Sequence, residues 1–240
     1  MTTLGWKGNW RGIQPAGDIH HRSREVVRPT GGIVRGKFPS RKNGRMIHHE
    51  GLLERDAIYH FETSPAIVRY REQTATVHYA DGPRLRRYTP DFEVKLTSGF
   101  VVLVEIKPEA KLADPDTSHK YRCIADHFTR SGQAFRIVTD APLRAQPRLR
   151  NLRTIYHRAS RAPASVDSLS VAANRLRDAL PTSLFQVEAL LGSNVITPYC
   201  LLLAGHLNCD LTQLITADTI VRATEDFDHA AFLSQKELGL

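Results

Sequence analysis

The chain has 240 residues, of which 41% are hydrophobic and 24% are charged, and its formal net charge is +8. These are ordinary values for a globular protein, and the absence of any apolar run of 18 residues argues against a transmembrane helix. The first ten residues lack the apolar segment of a secretory signal, and Cys123, Cys200 and Cys209 are widely spaced, which argues against a disulfide framework or a zinc site and favours a reducing cytosol.

The charge is distributed unevenly along the chain. Residues 1–50 contain ten Lys or Arg against three Asp or Glu, a net charge of +7, whereas residues 161–240 carry −4 and the middle of the chain +5. A basic front and an acidic rear suggest a polyanionic partner for the first part of the chain. The alternative is a solvated basic tail.

Residues 1–49 are rich in Gly, Arg, His and Pro, and we interpret them as a basic arm with one short hairpin at Asn43-Gly44. Apolar residues in LLERDAIYHF (52–61) lie on one helical face, and Ser64-Pro65 ends that helix. The stretches AIVRYRE and TATVHYA are strand-like, and Asp81-Gly82-Pro83 forms a turn.

The next segments alternate between strands and helices. RLRRYTPDFEVKL (84–96) is predicted as one strand, Ser98-Gly99 as a turn, and FVVLVEI (100–106) as a strand buried on both faces. A helix over 118–132 closed by Gly132, the strand AFRIVTD and a basic helix-prone segment follow. This order predicts an α/β sandwich.

A small, polar, proline-containing linker is predicted at 159–169. After it, the net charge becomes negative and the pattern becomes helical. Three short helices are predicted over 171–180, 183–192 and 197–207, and a helix followed by a strand over 208–224. This pattern suggests a helix-turn-helix or winged-helix module.

Three charged residues at the ends of two neighbouring strands are the strongest functional signal. Asp91 follows Pro90. Glu105 and Lys107 are two residues apart, and because side chains alternate along a strand, both point to the same face. If these strands pair across Ser98-Gly99, Asp91 approaches Glu105, and two desolvated carboxylates favour a bound cation. Such a set suits Mg²⁺-assisted phosphodiester hydrolysis, with Lys107 orienting or deprotonating the attacking water. The alternative is an exposed strand with an ordinary Lys–Glu pair, but Glu54 on the preceding helix offers a third carboxylate.

Blocks of sequence between about 35 and 140 resemble the TnsA family, the endonuclease subunits of heteromeric transposases. The blocks are NGRMIHHEGLLERD, VRYREQ, YTPDFEV, VLVEIKP and FRIVTD. The resemblance implies the restriction-endonuclease-like PD-(D/E)xK fold, an α/β core with a central mixed sheet flanked by helices. It assigns the catalytic glutamate to Glu54, the aspartate to Asp91 and the lysine to Lys107. Glu105 stands where the best-characterised member has a glutamine, which changes the charge of the metal site but not the expected reaction.

The predicted catalytic residues are therefore Glu54, Asp91, Glu105 and Lys107, with the three acids holding one or two Mg²⁺ ions, for which Mn²⁺ can substitute. Glu62, eight residues after Glu54 on the same helix, is the rival third acid. Other acids are interpreted as solvated surface charges: Glu50, Asp56, Glu72 and Glu109. His48, His49, His119 and His127 have no metal-ligand spacing with the cysteines and are interpreted as surface or packing residues.

A second group of residues is predicted to bind DNA, mainly by neutralising phosphates. It comprises Arg35, Lys37, Arg41, Lys42, Arg45, Gln73, Arg84, Arg86, Arg87 and Lys120. For Gln73, a structural amide is an equal alternative.

The predicted domains are a basic arm (1–49), a PD-(D/E)xK endonuclease domain (50–160) and a small, mainly helical, winged-helix-like domain (165–240). The resemblance implies a cytoplasmic bacterial endonuclease that cuts the 5′ ends of a transposon while a DDE-type, TnsB-like transposase cuts the 3′ ends. It also implies that the acidic C-terminal domain contacts a partner such as a TnsC-like AAA+ ATPase. A nuclease that acts alone and a non-catalytic DNA-binding scaffold remain as alternatives.

Overall fold

A computed structural model describes residues 34–160, 164–192 and 195–224. It forms two compact units, of which the first contains the described residues up to 58 together with 67–140, and the second contains 59–66 and the described residues from 141 onward. Helix α1, Leu52–Thr63, runs from the first unit into the second. The described residues include no helix with the length and hydrophobicity that a bilayer crossing requires.

The first unit begins with an antiparallel hairpin of β1, Arg35–Ser40, and β2, Arg45–Glu50. The hairpin predicted at Asn43-Gly44 is confirmed, and Gly44 has the positive φ of 59° that its turn requires. The rest of the predicted basic arm, residues 1–33, lies outside the described residues.

Asn43 joins this turn to the central sheet. Its side chain donates to Ser40 Oγ at 2.9 Å, and its Oδ1 accepts the backbone N–H of Tyr70 at 3.2 Å, although only 4% of Asn43 is exposed. We expect Asn43→Ala to lower the free energy of unfolding by about 1–3 kcal/mol, because it leaves the buried Tyr70 N–H without this acceptor. Chemical denaturation measures the change, and Thr97→Ala, in an exposed turn, is the matched control. Equal stability of the two variants would contradict the prediction.

Four strands form the central sheet in the order β3-β6-β7-β8. Their bounds are Ile67–Glu72 for β3, Phe92–Leu96 for β6, Val101–Ile106 for β7 and Ala134–Val138 for β8. The first two pairs are antiparallel and the last is parallel, so the sheet is mixed, as predicted. The apolar run in β7 is buried from Val102 to Ile106, which confirms its prediction as a core strand.

The predicted single strand over 84–96 is wrong. The segment divides into β5, Arg84–Tyr88, and β6, and β5 pairs only with β4, Val77–Asp81, in a separate two-stranded hairpin. Pro90 lies at the break and cannot donate to a ladder, which explains the interruption. The β4–β5 hairpin is therefore an excursion out of the central sheet between β3 and β6.

The parallel strands β7 and β8 are connected by α2, Glu109–Leu112, and α3, Pro115–Arg130. Asp114 caps α3 by accepting the backbone N–H of Thr117 at 2.9 Å. The amphipathic face of α3 packs with β4, β5, β7 and β8 in an aromatic-rich cluster. Its buried members are Tyr79, Tyr88, Leu103, Tyr121, Ile124, Phe128 and Phe135.

The second unit is mainly helical. Its helices are α4, Asp140–Arg144, whose first residue belongs to the first unit, α5, Arg148–Arg158, α6, Val166–Leu176, α7, Leu184–Leu191, and α8, Pro198–Ala204. A 3₁₀ turn, Arg177–Ala179, follows α6. The short strands β9, Thr182–Ser183, β10, Leu207–Cys209, and β11, Ile220–Ala223, form a small antiparallel sheet with β11 in the centre.

The helix predicted at the start of 208–224 is wrong, because the residues between β10 and β11 are irregular. The buried side chain of Asn151 forms hydrogen bonds with the backbone of this segment. Its amide nitrogen donates to the carbonyls of Leu211 and Gln213 at 3.0 and 2.6 Å, and its Oδ1 accepts the Ile215 N–H at 3.0 Å. These bonds satisfy backbone groups that a helix would have paired internally. The observed helices and small sheet do not confirm a winged helix, which stays a prediction.

Candidate active site

The four predicted catalytic residues come from three elements of the first unit. Glu54 lies in the first turn of α1, Asp91 immediately precedes β6, Glu105 is the fifth residue of β7, and Lys107 directly follows that strand. Phe92 pairs with Val104 across the antiparallel strands, so the register places Asp91 opposite Glu105.

Asp91 is at the centre of the arrangement. Its Oδ2 accepts the backbone N–H of Ile106 at 2.8 Å, and its carbonyl oxygen accepts the N–H of Gln73 at 2.9 Å. Burial and then the nearby Glu105 and Glu54 carboxylates raise the pKa of Asp91 well above its ordinary value, while the Ile106 N–H and Lys107 oppose this shift. Three acids and one amine therefore share one electrostatic environment.

Glu105 is held by two tyrosines. Tyr88 donates to its Oε2 at 2.7 Å and Tyr121 donates to its Oε1 at 2.5 Å, and only 5% of Glu105 is exposed. Burial and then the Glu105 charge raise the pKa of both phenols, so both hydroxyls stay protonated and can donate. Lys107 Nζ lies 3.8 Å from Glu105 Oε1 and above the Tyr121 ring.

Glu54 Oε2 accepts the backbone N–H of Glu50 at 2.7 Å, which positions this acid at the beginning of α1. An acid in the first turn also interacts favourably with the helix dipole. Its rival, Glu62, lies in the part of α1 that belongs to the second unit and is completely buried.

The three acids offer oxygen ligands, which are the donors that Mg²⁺ prefers. The repulsion that raises the pKa of Asp91 is also what a divalent cation would relieve, so the chemistry of the donor set fits the ion. Among the described residues, however, the one group of three His, Cys, Asp or Glu side chains with ligand atoms all within 4.8 Å of one another lies elsewhere. Glu54, Asp91 and Glu105 are therefore more widely separated than that.

Gln73 has a strained backbone next to the site. Its φ is +47°, which is uncommon for a residue other than glycine, and only 4% of the residue is exposed. Since its N–H binds the carbonyl of Asp91, the unusual conformation helps to fix the backbone of that aspartate. Burial favours the structural alternative for Gln73, and a contact with DNA stays a prediction.

The predicted DNA-binding residues differ in their exposure. Lys37, Arg84, Arg86, Arg87 and Lys120 are exposed, although the Arg86 Nε–H donates to Asp81. Lys120 Nζ lies 5.2 Å from the centre of the Tyr121 ring, close to the residues that hold Glu105. These cations are best placed to meet solvent and phosphate.

Other members of the predicted DNA-binding group contact protein atoms. Lys42 Nζ donates to the Ile67 carbonyl at 2.7 Å, and Arg35 Nε lies 3.5 Å from Glu50 Oε1. Arg41 is only half-exposed.

Arg45 forms a two-pronged ion pair with Glu72, at 2.9 and 2.7 Å. This geometry occupies much of the guanidinium within the protein.

Two acids interpreted as solvated charges are buried. Glu72 is 1% exposed because it receives the Arg45 guanidinium and the backbone N–H of His48, and Asp56 is 3% exposed. Sequence reasoning also missed Tyr88 and Tyr121. Tyr88, three residues before Asp91, could have been noticed in the YTPD block, whereas nothing in the sequence around Tyr121 indicates its contact with Glu105.

We expect Tyr88→Phe and Tyr121→Phe each to slow DNA cleavage by about 10- to 100-fold, as is typical when a partner that orients a metal ligand is lost. Each variant removes one hydroxyl that orients Glu105 and keeps the aromatic ring. Single-turnover cleavage measures the effect. Tyr79→Phe is the control, because Tyr79 belongs to the same buried cluster but does not donate to Glu105; equal rates in all three variants would contradict the prediction.

Part of the chain is similar to a known family. Residues 64–140 match the family model described as TnsA-like endonuclease N terminal. The match contains Asp91, Glu105, Lys107 and both tyrosines, and it begins after Glu54. A search of curated proteins gave no match.

Proposed function

Starting from a chain that carries a TnsA-like endonuclease N-terminal domain, we propose that this protein is the Mg²⁺-dependent endonuclease subunit of a heteromeric transposase. It cuts the 5′ ends of a transposon, while a DDE-type transposase cuts the 3′ ends. The observation that carries the proposal is the strand register, which places Asp91 opposite Glu105, with Lys107 Nζ 3.8 Å from Glu105 and all three residues inside the matched region.

Glu54, Asp91 and Glu105 would hold the metal. When bound, Mg²⁺ supplies Lewis-acid stabilisation of the phosphate and lowers the pKa of a bound water. Asp91 can take part only as the ionised carboxylate, and its burial and the nearby carboxylates raise its pKa. The tyrosines fix the orientation of Glu105, so its carboxylate does not need to be ordered during the reaction.

Lys107 is the residue proposed to act on the attacking water and on the developing phosphate charge. Its side chain is one-third exposed, and its Nζ is held near Glu105. Its amine is therefore open to solvent beside Glu105, where a phosphate would meet it.

DNA is the proposed substrate, and the basic residues that reach solvent support it. Lys37, Arg84, Arg87 and Lys120 are exposed in the same unit as the acids. Contacts with phosphates would give affinity that falls steeply with salt and carries little sequence information.

The C-terminal part of the chain is proposed to contact protein partners, namely the transposase and an AAA+ ATPase. Residues 161–240 contain five Lys or Arg against nine Asp or Glu. This net charge of −4 opposes direct insertion into DNA and leaves protein contact as the preferred role.

Cleavage of transposon-end DNA tests the proposal. The protein is incubated with Mg²⁺ and end-containing DNA, with and without the transposase of the same element, and 5′-end cutting is quantified. Cutting that requires the transposase is expected. Cutting without it would indicate a nuclease that acts alone, and no difference between wild type and Asp91→Ala or Lys107→Ala would reject the catalytic assignment.

A further inference from the structure

A second group of possible metal ligands lies on β4 and α3, two of the elements that form the aromatic-rich cluster. Asp81 ends β4, while His119 and Cys123 lie four residues apart on α3 and so face the same side of the helix. One ligand atom from each lies within 4.8 Å of the others. The sequence interpretation recognised no metal-ligand spacing between His119 and a cysteine, whereas the structure brings His119 and Cys123 together.

Asp81 and Cys123 both contact the same ring nitrogen of His119. His119 Nε2 lies 2.9 Å from Asp81 Oδ1 and 3.6 Å from Cys123 Sγ. In a nucleophilic Cys–His–Asp triad the acid and the nucleophile contact different ring nitrogens, so that one holds the ring and the other passes its proton. Here the oxygen, nitrogen and sulfur instead face one another, as ligands around a common ion do.

Two of the three distances between the ligand atoms are close to those of a tetrahedral zinc site. With bond lengths of about 2.3 Å to sulfur and about 2.0 Å to nitrogen and oxygen, tetrahedral angles place sulfur about 3.5 Å from nitrogen and nitrogen about 3.3 Å from oxygen. The corresponding observed distances are 3.6 and 2.9 Å. Small side-chain movements would therefore accommodate an ion.

Charge and donor type select the class of metal. Asp81 offers a carboxylate oxygen, His119 a ring nitrogen and Cys123 a thiol sulfur. The Arg86 Nε–H donates to Oδ2, which orients the carboxylate and leaves Oδ1 toward His119. One thiolate, one imidazole and one carboxylate suit Zn²⁺ or a similar borderline transition metal, and do not suit Mg²⁺.

We propose that Asp81, His119 and Cys123 bind a Zn²⁺ ion, with water in the fourth position. Asp81 and Cys123 are half-buried and His119 is exposed, so solvent can reach the ion. The ion would join the β4–β5 hairpin to α3, the two elements that supply Tyr88 and Tyr121 to Glu105.

Cobalt titration of the full-length protein tests this site without reference to nuclease activity. Co²⁺ is added in excess Mg²⁺, which occupies oxygen-ligand sites, and a phosphine keeps the thiols reduced. We expect one equivalent of Co²⁺ to give the near-ultraviolet charge-transfer band of a cobalt–thiolate bond, and Zn²⁺ to displace it. Cys123→Ser abolishes the band, whereas Cys209→Ser, the matched control, keeps it.

Two further measurements distinguish loss of the metal site from misfolding of a variant. His119→Gln keeps Cys123 but lowers the affinity for Co²⁺ by at least about tenfold, whereas His127→Gln on the same helix does not. Zn²⁺ raises the melting midpoint of the wild type and of Cys209→Ser but not that of Cys123→Ser, since only a folded-state ligand stabilises the fold. No thiolate band in the wild type, or an unchanged band in Cys123→Ser, would overturn the proposal.

Discussion

Asp91→Asn is expected to reduce DNA cleavage by about a thousandfold or more, as for the loss of a central catalytic group. The amide can still accept the Ile106 N–H, so the local backbone is kept, but the negative charge proposed to hold the metal is removed. Single-turnover cleavage of transposon-end DNA with saturating Mg²⁺ measures the rate. Asp126→Asn, an exposed substitution on α3, is the control and should cleave like the wild type.

The same substitution is expected to stabilise the metal-free fold at neutral pH. Burial and the two neighbouring carboxylates raise the pKa of Asp91 in the folded protein above its ordinary value of 3.8, so the folded state binds a proton more readily than the unfolded state does. The free energy of unfolding of the wild type therefore falls as pH rises from about 3.8 through the folded pKa, and the penalty is fully present above that pKa. Asp91→Asn removes this dependence.

Thermal melts of the two proteins across this pH range, without divalent ions, test the expectation. Mg²⁺ should then raise the melting midpoint of the wild type more than that of Asp91→Asn, because the proposed ligand is lost in the variant. Loss of activity together with loss of stability at neutral pH would indicate that Asp91 is mainly a structural residue.

Lys107→Ala is expected to slow cleavage by about 100-fold or more, within the range for a group that assists proton transfer. The fold should tolerate the change, because the side chain is one-third exposed and its ion pair with Glu105 is long, at 3.8 Å. Removing one cation should weaken DNA binding only slightly and lower the salt slope by about one. The expected signature is thus a large loss in rate with a small loss in affinity.

Lys95→Ala on β6 is the matched control, since it removes a lysine from the neighbouring strand of the same sheet. Cleavage rates and DNA affinities are measured for both variants over a range of salt concentrations. If Lys107→Ala lost affinity and rate to the same extent, Lys107 would be a phosphate-binding residue rather than a catalytic one.

Local pattern was sufficient to predict the strand that carries Glu105. The apolar run before Glu105 predicted a buried strand, and alternation placed Glu105 and Lys107 on one face. The Asn-Gly turn likewise determines the first hairpin, because its φ requirement is local. The sequence predicted that Asp91 approaches Glu105 if the two strands pair across Ser98-Gly99, and the strands do pair in this way.

Long-range contacts explain what the pattern missed. Tyr88 and Tyr121 reach Glu105 from 17 and 16 residues away, and Asp81 meets His119 across 38 residues. Asn151 prevents a helix by binding backbone groups 60 to 64 residues later. None of these partners leaves a periodic signal, because each depends on how separate elements pack.

The sequence by itself therefore determined the order of most strands and helices and the chemical type of the candidate site, since backbone periodicity and residue chemistry are local properties. Only the tertiary structure decided that the β4–β5 hairpin leaves the sheet and that two tyrosines donate hydrogen bonds to Glu105. It also decided that Asp81, His119 and Cys123 lie close together. These outcomes depend on side chains distant in sequence finding hydrogen-bond partners in a packed interior, where an unpaired polar group would be costly.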